Sequence, residues 1–201
     1  MLSQIKNRER VRNHGEVFTN QREVDAMLDL VKGEAAAIDS TFMEPACGNG
    51  NFLVEILHRK LRSVFQLANN NSAEAEFLAT RAFASIYGVD VQQDNVFEAR
   101  ERLFNNFFAS FINHYRHKPS QICLDSVRFI LSQNIQCGDT LACKTAEGTP
   151  LFITQWLFDK HDCLTIRIFD LKTMFNTGCS CEPVYTLPRI PYLLLPAVVQ
   201  H

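Results

Sequence analysis

The sequence predicts an α/β chain built on a doubly wound, mostly parallel sheet that is incomplete towards its C-terminus and ends in an irregular or β-rich part. Three observations predict it. Up to Asp139, short apolar runs of strand length alternate with longer stretches whose apolar residues recur at helical spacing, the pattern of a parallel sheet with helices on both faces. The first strand-to-helix junction is a loop of small residues, Ala46-Cys47-Gly48-Asn49-Gly50. Three runs also end on an acid, Glu44, Asp90 and Asp139, at the carboxyl ends of strands where sheets of this class bind their ligands.

The chain has 201 residues, 46% of them hydrophobic, enough to bury one sizeable core, so residues 1–201 are expected to form a single domain. Within it, residues 1–140 carry the binding motifs and 141–201 form a diverged C-terminal part. No uncharged apolar run approaches the roughly 18 residues of a bilayer span, and the polar N-terminus lacks the apolar core of a signal peptide. A soluble, cytoplasmic protein with no membrane partner is the expectation. Seven scattered cysteines read as reduced thiols rather than a disulfide framework. The tight pair Cys179 and Cys181 supplies only half of a zinc site, so no metal is expected. A net charge of −2 excludes a chain that coats nucleic acid by bulk electrostatics, leaving Lys6, Arg8, Arg10 and Arg12 as a local basic arm, read as solvated.

The elements follow in order. After Glu16-Val17-Phe18-Thr19-Asn20, an amphipathic helix carries Val24, Met27, Leu28 and Val31, with Thr19 or Asn20 as its cap. Ser40–Met43 reads as a buried strand and runs into the small-residue loop. From Phe52 the helical period returns with Leu53, Ile56, Leu57, Leu61, Val64 and Phe65, until Asn69-Asn70-Asn71-Ser72 breaks it and a second helix begins at Ala73. Ser85–Asp90 reads as the second strand. Asp94 begins a long helix whose phenylalanines, Phe97 to Phe111, sit at core spacing rather than as a base-stacking platform. A further helix over 122–131 leads to the third strand, 134–139. Leu151–Phe158 and Leu164–Phe169 look extended, the latter being the best candidate for a fourth strand, and Pro183, Pro188, Pro191 and Pro196 exclude any later long helix.

Glycines at 48 and 50 let a ligand approach the backbone closely. In dinucleotide sites the fingerprint is G-x-G-x-x-G and a pyrophosphate rests on the helix N-terminus. Here the third glycine is missing and Glu44 stands at the strand end, which suits a cationic ligand and repels a pyrophosphate. Asp90 occupies the strand end that receives ribose hydroxyls in this class of sheet, and Asp139 is placed to accept a hydrogen bond from an adenine amine.

Four segments in the same order carry a family resemblance. Glu16-Val17-Phe18-Thr19, Met43-Glu44-Pro45-Ala46-Cys47-Gly48-Asn49-Gly50-Asn51-Phe52-Leu53, Tyr87-Gly88-Val89-Asp90-Val91 and Asn134-Ile135-Gln136-Cys137-Gly138-Asp139 resemble the cofactor motifs of adenine-specific (N6) DNA methyltransferases. The resemblance spans Glu16 to Thr140 and implies a Rossmann-like methyltransferase fold that binds S-adenosylmethionine. It implies that Phe18 and Thr19 close over the methionine end and Glu44 holds its ammonium. Pro45, Ala46 and Gly48 give backbone room, Asp90 binds ribose, Val91 packs on adenine and Asp139 binds the adenine amine. DNA is the implied partner, within a restriction-modification type of system.

The family's catalytic motif, Asn or Asp followed by Pro-Pro and an aromatic residue, stacks on and positions a flipped-out base. The sequence contains no Pro-Pro; Asp170-Leu171-Lys172-Thr173 follows the fourth candidate strand, and Glu182-Pro183-Val184-Tyr185 keeps only fragments of the pattern. The residues after Asp139 also fall short of the about 100 that finishing such a sheet takes at about 30 per βα unit. The catalytic residue is therefore unassigned. Two readings stay open: a truncated, diverged or partner-dependent DNA adenine methyltransferase whose catalytic motif comes from another subunit, and a catalytically silent S-adenosylmethionine-binding regulatory or interaction module. A nicotinamide-dependent oxidoreductase shares the loop and ribose acid, with Glu44 against it.

Overall fold

A computed structural model of the chain describes Arg12 and residues 19–160, 162–177 and 181–198. Asn20 opens α1 (Gln21–Asp29): its side chain accepts the Glu23 N–H at 3.1 Å, satisfying one of the donors every helix start leaves over. Val24 and Leu28, one turn apart, are its buried pair, whereas Met27 and Val31 remain exposed. After the short α2 (Lys32–Ala36) come β1 (Phe42–Glu44), α3 (Asn51–Ala68), α4 (Ser72–Ala84), β2 (Ile86–Asp90), α5 (Gln93–Tyr115), α6 (Gln121–Asn134) and β3 (Ile135–Cys137).

Local chemistry sets these boundaries. Asn69 and Asn70 take positive φ, which asparagine tolerates better than most residues, and α3 stops there. Asn71 then caps α4 by accepting from Glu74 N–H, and Ser120 caps α6 by accepting from Cys123 N–H. The first strand begins at Phe42 rather than Ser40. Lys60 of α3, fully buried, holds the preceding chain by donating from Nζ to the carbonyls of Ala37, Ile38 and Ser40 at 2.6, 3.0 and 2.7 Å.

The three strands form a parallel sheet in the order β1-β2-β3, with Phe42 opposite Ile86 and Val89 opposite Gln136. Side chains alternate between its faces. At Gly88 an added Cβ would lie 2.8 Å from Leu53 Cδ1 of α3, so a helix side chain packs directly on the strand backbone there. Tyr87 points the other way, its hydroxyl donating to the Thr154 carbonyl at 2.7 Å.

That second contact belongs to an antiparallel sheet. β4 (Phe152–Phe158) and β5 (Cys163–Asp170) form a hairpin with Trp156 opposite Ile166, and β6 (Tyr185–Thr186) and β7 (Ile190–Pro191) both pair with β5. Leu164–Phe169 is thus extended as expected but is not a fourth parallel strand. Only residues 159–162 separate it from β4, and a parallel pairing needs a crossover of a dozen or more residues. The hairpin lies over the Tyr87 and Val89 side of the sheet, where Val89 packs with Cys143, Leu151 and Leu171. Asn134 joins the two sheets: its Nδ2 donates to the carbonyls of Phe83 and Ile86 at 3.2 and 3.1 Å, and its Oδ1 accepts from Trp156 Nε1 at 2.9 Å.

Trp156, Leu164 and Ile166 belong to the same buried cluster as the apolar residues of α3 to α6. Phe104, Phe107 and Phe111 are core, as their spacing predicts, whereas Phe97 is 66% exposed. The C-terminal part adds α7 (Leu171–Thr177), a 3-10 turn at Tyr192–Leu194 and α8 (Leu195–Val198). Among the described residues no helix is long and apolar enough to cross a membrane. Of the cysteines, Cys47, Cys123, Cys137, Cys143, Cys163 and Cys181 are free thiols; Cys179 lies outside the described residues.

Candidate functional site

The carboxyl ends of β1, β2 and β3 open into a cavity of about 570 Å³. It gathers Thr19, Glu44, Pro45, Ala46, Gly48, Asp90, Val91 and Asp139, eight residues that the sequence places in four separate segments. Phe18, with Glu16 and Val17, lies outside the described residues.

The loop after β1 is shaped by its neighbours. Cys47 N–H donates to Val89 O at 2.9 Å, prolonging the pairing of β1 with β2, and Gly50 N–H returns to Cys47 O at 2.9 Å. Gly50, at φ +84°, starts α3 in the left-handed region, where residues with a Cβ are strained. The Cys47 thiol is buried beneath the loop. Burial, reinforced by Asp90 and Glu44, pushes its pKa up to about 12, so it acts as a packed apolar group and not as a thiolate nucleophile.

Asp90 is engaged more fully than its strand-end position suggests. One oxygen accepts from Gly48 N–H at 2.9 Å, and the other from Gln92 N–H at 2.9 Å and Asn95 Nδ2 at 3.2 Å. A carboxylate offers about four lone-pair sites, so three are taken by the protein and one is left for a ligand hydroxyl. Its first role is therefore architectural: it locks the loop after β1 to the turn after β2. Asp139 Oδ1 accepts from Leu141 and Ala142 N–H at 2.8 and 3.1 Å, and its side chain is exposed at the cavity mouth. Beside it, Thr140 Oγ1 donates to Pro45 O at 2.8 Å and closes the third loop on the first. Glu44 is half-buried, which raises its pKa, with the Ala46 N–H acting in the opposite direction.

Among the described residues the lining holds three carboxylates and no lysine or arginine. A phosphate or pyrophosphate would meet only negative charge, while a cationic group is attracted. The start of α3 supplies the complement. Its cap is a glycine without a side chain, its first turn has no acid, and the N–H groups of Asn51, Phe52 and Leu53 have no acceptor within the helix. Asn51 and Phe52 line the cavity, so these donors and the positive helix end suit a single small anion such as a carboxylate. Carboxylates and a helix start in one cavity fit a zwitterion. Val91, 52% exposed, and Leu141, 98% exposed, add apolar surface to the lining, where a flat ring has contact area to cover.

Sequence reasoning missed Asn49, Asn51, Thr140 and Leu141. The asparagines flanking Gly50 and the threonine after Asp139 were visible as polar residues inside the motifs, but their partners are not local. The two fragments of a catalytic pattern do not reach the cavity. Asp170 accepts from the Thr173 N–H and hydroxyl at the start of α7, and Tyr185 sits in β6. Among the described residues no group of three His, Cys, Asp or Glu is placed to hold a metal ion.

No family model, curated protein or solved structure matches this chain.

Proposed function

We propose that the cavity binds S-adenosylmethionine and that the chain is the cofactor-binding part of an adenine-specific DNA methyltransferase system on a doubly wound, Rossmann-like sheet. The observation that carries this reading is the charge pattern: among the described residues, three strand-end carboxylates and no cation line the cavity, together with an uncapped helix start. S-adenosylmethionine has an ammonium and a sulfonium for the carboxylates, a carboxylate for the helix start, and an adenine for Val91 and Leu141. Glu44 would hold the ammonium, Asn51 and Phe52 N–H the carboxylate, Asp90 one ribose hydroxyl and Asp139 the adenine amine. Pro45, Ala46 and Gly48 leave room for it, and Thr19, with Phe18 by family resemblance, covers the methionine end. When bound, the cofactor supplies an electrophilic methyl group on its sulfonium.

Calorimetry tests the binding step: S-adenosylmethionine should bind, NAD should not compete, and Glu44→Gln should weaken binding about tenfold, roughly one charge-assisted hydrogen bond. A folded wild-type chain that binds no S-adenosylmethionine, or that NAD displaces it from, rejects the reading.

The missing Pro-Pro motif favours a second outcome for the methyl group: a catalytically silent module of the same system, or a subunit completed by a partner. Transfer of labelled methyl to DNA separates them. Incorporation only after adding a partner subunit supports completion, whereas binding without any incorporation supports the silent module.

A further inference from the structure

We propose that Arg102, which does not itself line the cavity, is the positioning residue that sets two of its walls from α5. Its Nη1 donates to the Asn49 carbonyl at 2.7 Å and to Asn51 Oδ1 at 2.8 Å. The other end of the Asn51 amide, Nδ2, donates to the Thr19 carbonyl at 2.9 Å. One guanidinium nitrogen therefore reaches both the loop that opens α3 and, through Asn51, the segment that leads into α1.

The rest of the same α5 face completes the seat. Four residues earlier, and so one turn away, Glu98 Oε1 accepts from Asn49 Nδ2 at 2.8 Å. Between them, Ala99 Cβ lies 3.0 Å from where a side chain on Gly50 would begin. Asn49-Gly50-Asn51 is thus laid on Glu98-Ala99-Arg102 with hydrogen bonds at both ends and backbone contact in the middle. Arg102 is half-buried, and burial lowers its pKa while Glu98 opposes that shift. An arginine suits the place because its planar fork aims N–H groups in fixed directions; a lysine would bring one compact, rotating charge. Asn49, Asn51 and Thr19 all face the cavity, so a displacement of this seat moves the loop and the helix start that would receive the charged end of a ligand.

The positioning rests on contacts within the chain, and the proposed cofactor enters only as the ligand used to read its effect. Hydrogen exchange on the ligand-free protein tests it without any ligand. In Arg102→Lys, amides of the loop 47–54 and of the first turn of α1 should exchange about tenfold faster, with β4 and α6 unchanged. In Asn51→Ala the acceleration should be confined to the first turn of α1, because the Asn49 carbonyl keeps its donor. Rates unchanged in both variants, or raised uniformly across the molecule, overturn the proposal. Should Arg102→Lys fail to fold, the Asn51→Ala pattern alone decides.

Binding adds a readout that a merely structural role would not move. Arg102→Lys should weaken S-adenosylmethionine about tenfold while leaving 5′-methylthioadenosine, which lacks the amino-acid end, within about twofold; equal losses for both ligands count against positioning. If the wild type binds neither, the functional reading fails and the exchange pattern still decides the role of Arg102.

Discussion

Replacing Gly50 by alanine measures how tightly α5 holds the loop over the cavity. Gly50 sits at φ +84°, where a Cβ costs about 1–2 kcal/mol in backbone strain. That Cβ would also lie 3.0 Å from Ala99 Cβ and 3.3 Å from Ala99 Cα, atoms of a long helix that has no flexible side chain to move aside. Overpacking of this kind costs about 1–3 kcal/mol, so the expected loss is about 2–5 kcal/mol, a large share of the roughly 5–15 kcal/mol that holds a domain together. Gly148 provides the control. Its φ is +82° but nothing lies within 4 Å, so Gly148→Ala should lose only the strain, about 1–2 kcal/mol. The difference between the two variants, read from urea unfolding at a common slope, is the contact with α5. Adding Ala99→Gly to Gly50→Ala should recover the packing part less about 1 kcal/mol for glycine in a helix. If Gly50→Ala and Gly148→Ala are equally destabilising within about 0.5 kcal/mol, the loop is not seated on α5 as described.

Two further outcomes are expected. Burial pushes the Cys47 thiol up to about 12 in the fold, against about 8.5 for an unperturbed cysteine in the unfolded chain. A folded pKa above the unfolded one gives stability that is full below about pH 8.5 and drains as pH rises towards 12, by roughly 2–3 kcal/mol at about pH 10.5. Urea unfolding of wild type and Cys47→Ala should therefore converge by that amount between pH 8 and 10.5, and parallel curves would show that the thiol is not buried. Asn134→Ala removes the acceptor of Trp156 Nε1 and the donor to two buried carbonyls, with an expected cost of about 3 kcal/mol. The chain has one tryptophan, so its emission reports the same loss directly; unchanged emission and a cost below about 1 kcal/mol would contradict the link between the sheets.

Much of the helical half was legible because its signals are local. Asn20 caps α1 by bonding to a donor three residues on, and the asparagines at 69 and 70 stop α3 through their own backbone preference. Strand ends were legible for the same reason: Glu44, Asp90 and Asp139 follow apolar runs, and a parallel sheet brings such ends to one side. Phe97 shows where the same reasoning stops, since helical spacing marks a face but not which residues on it are covered.

By itself, then, the sequence determined most of the strands and helices up to β3 to within a few residues, and which carboxylates share one end of the sheet. Tertiary structure alone decided how those carboxylates are used. Asp90 is occupied by Gly48 and Asn95, partners 42 and 5 residues away, and Thr140 closes on Pro45 across 95 residues. It also decided that 163–170 turns back on 152–158 instead of extending the parallel sheet, and that Arg102 reaches Asn49 and Asn51 from α5. The division has a physical cause. Caps, turns and periodicity depend on atoms a few bonds apart, whereas hydrogen bonds between distant segments exist only once packing has brought their partners within about 3 Å.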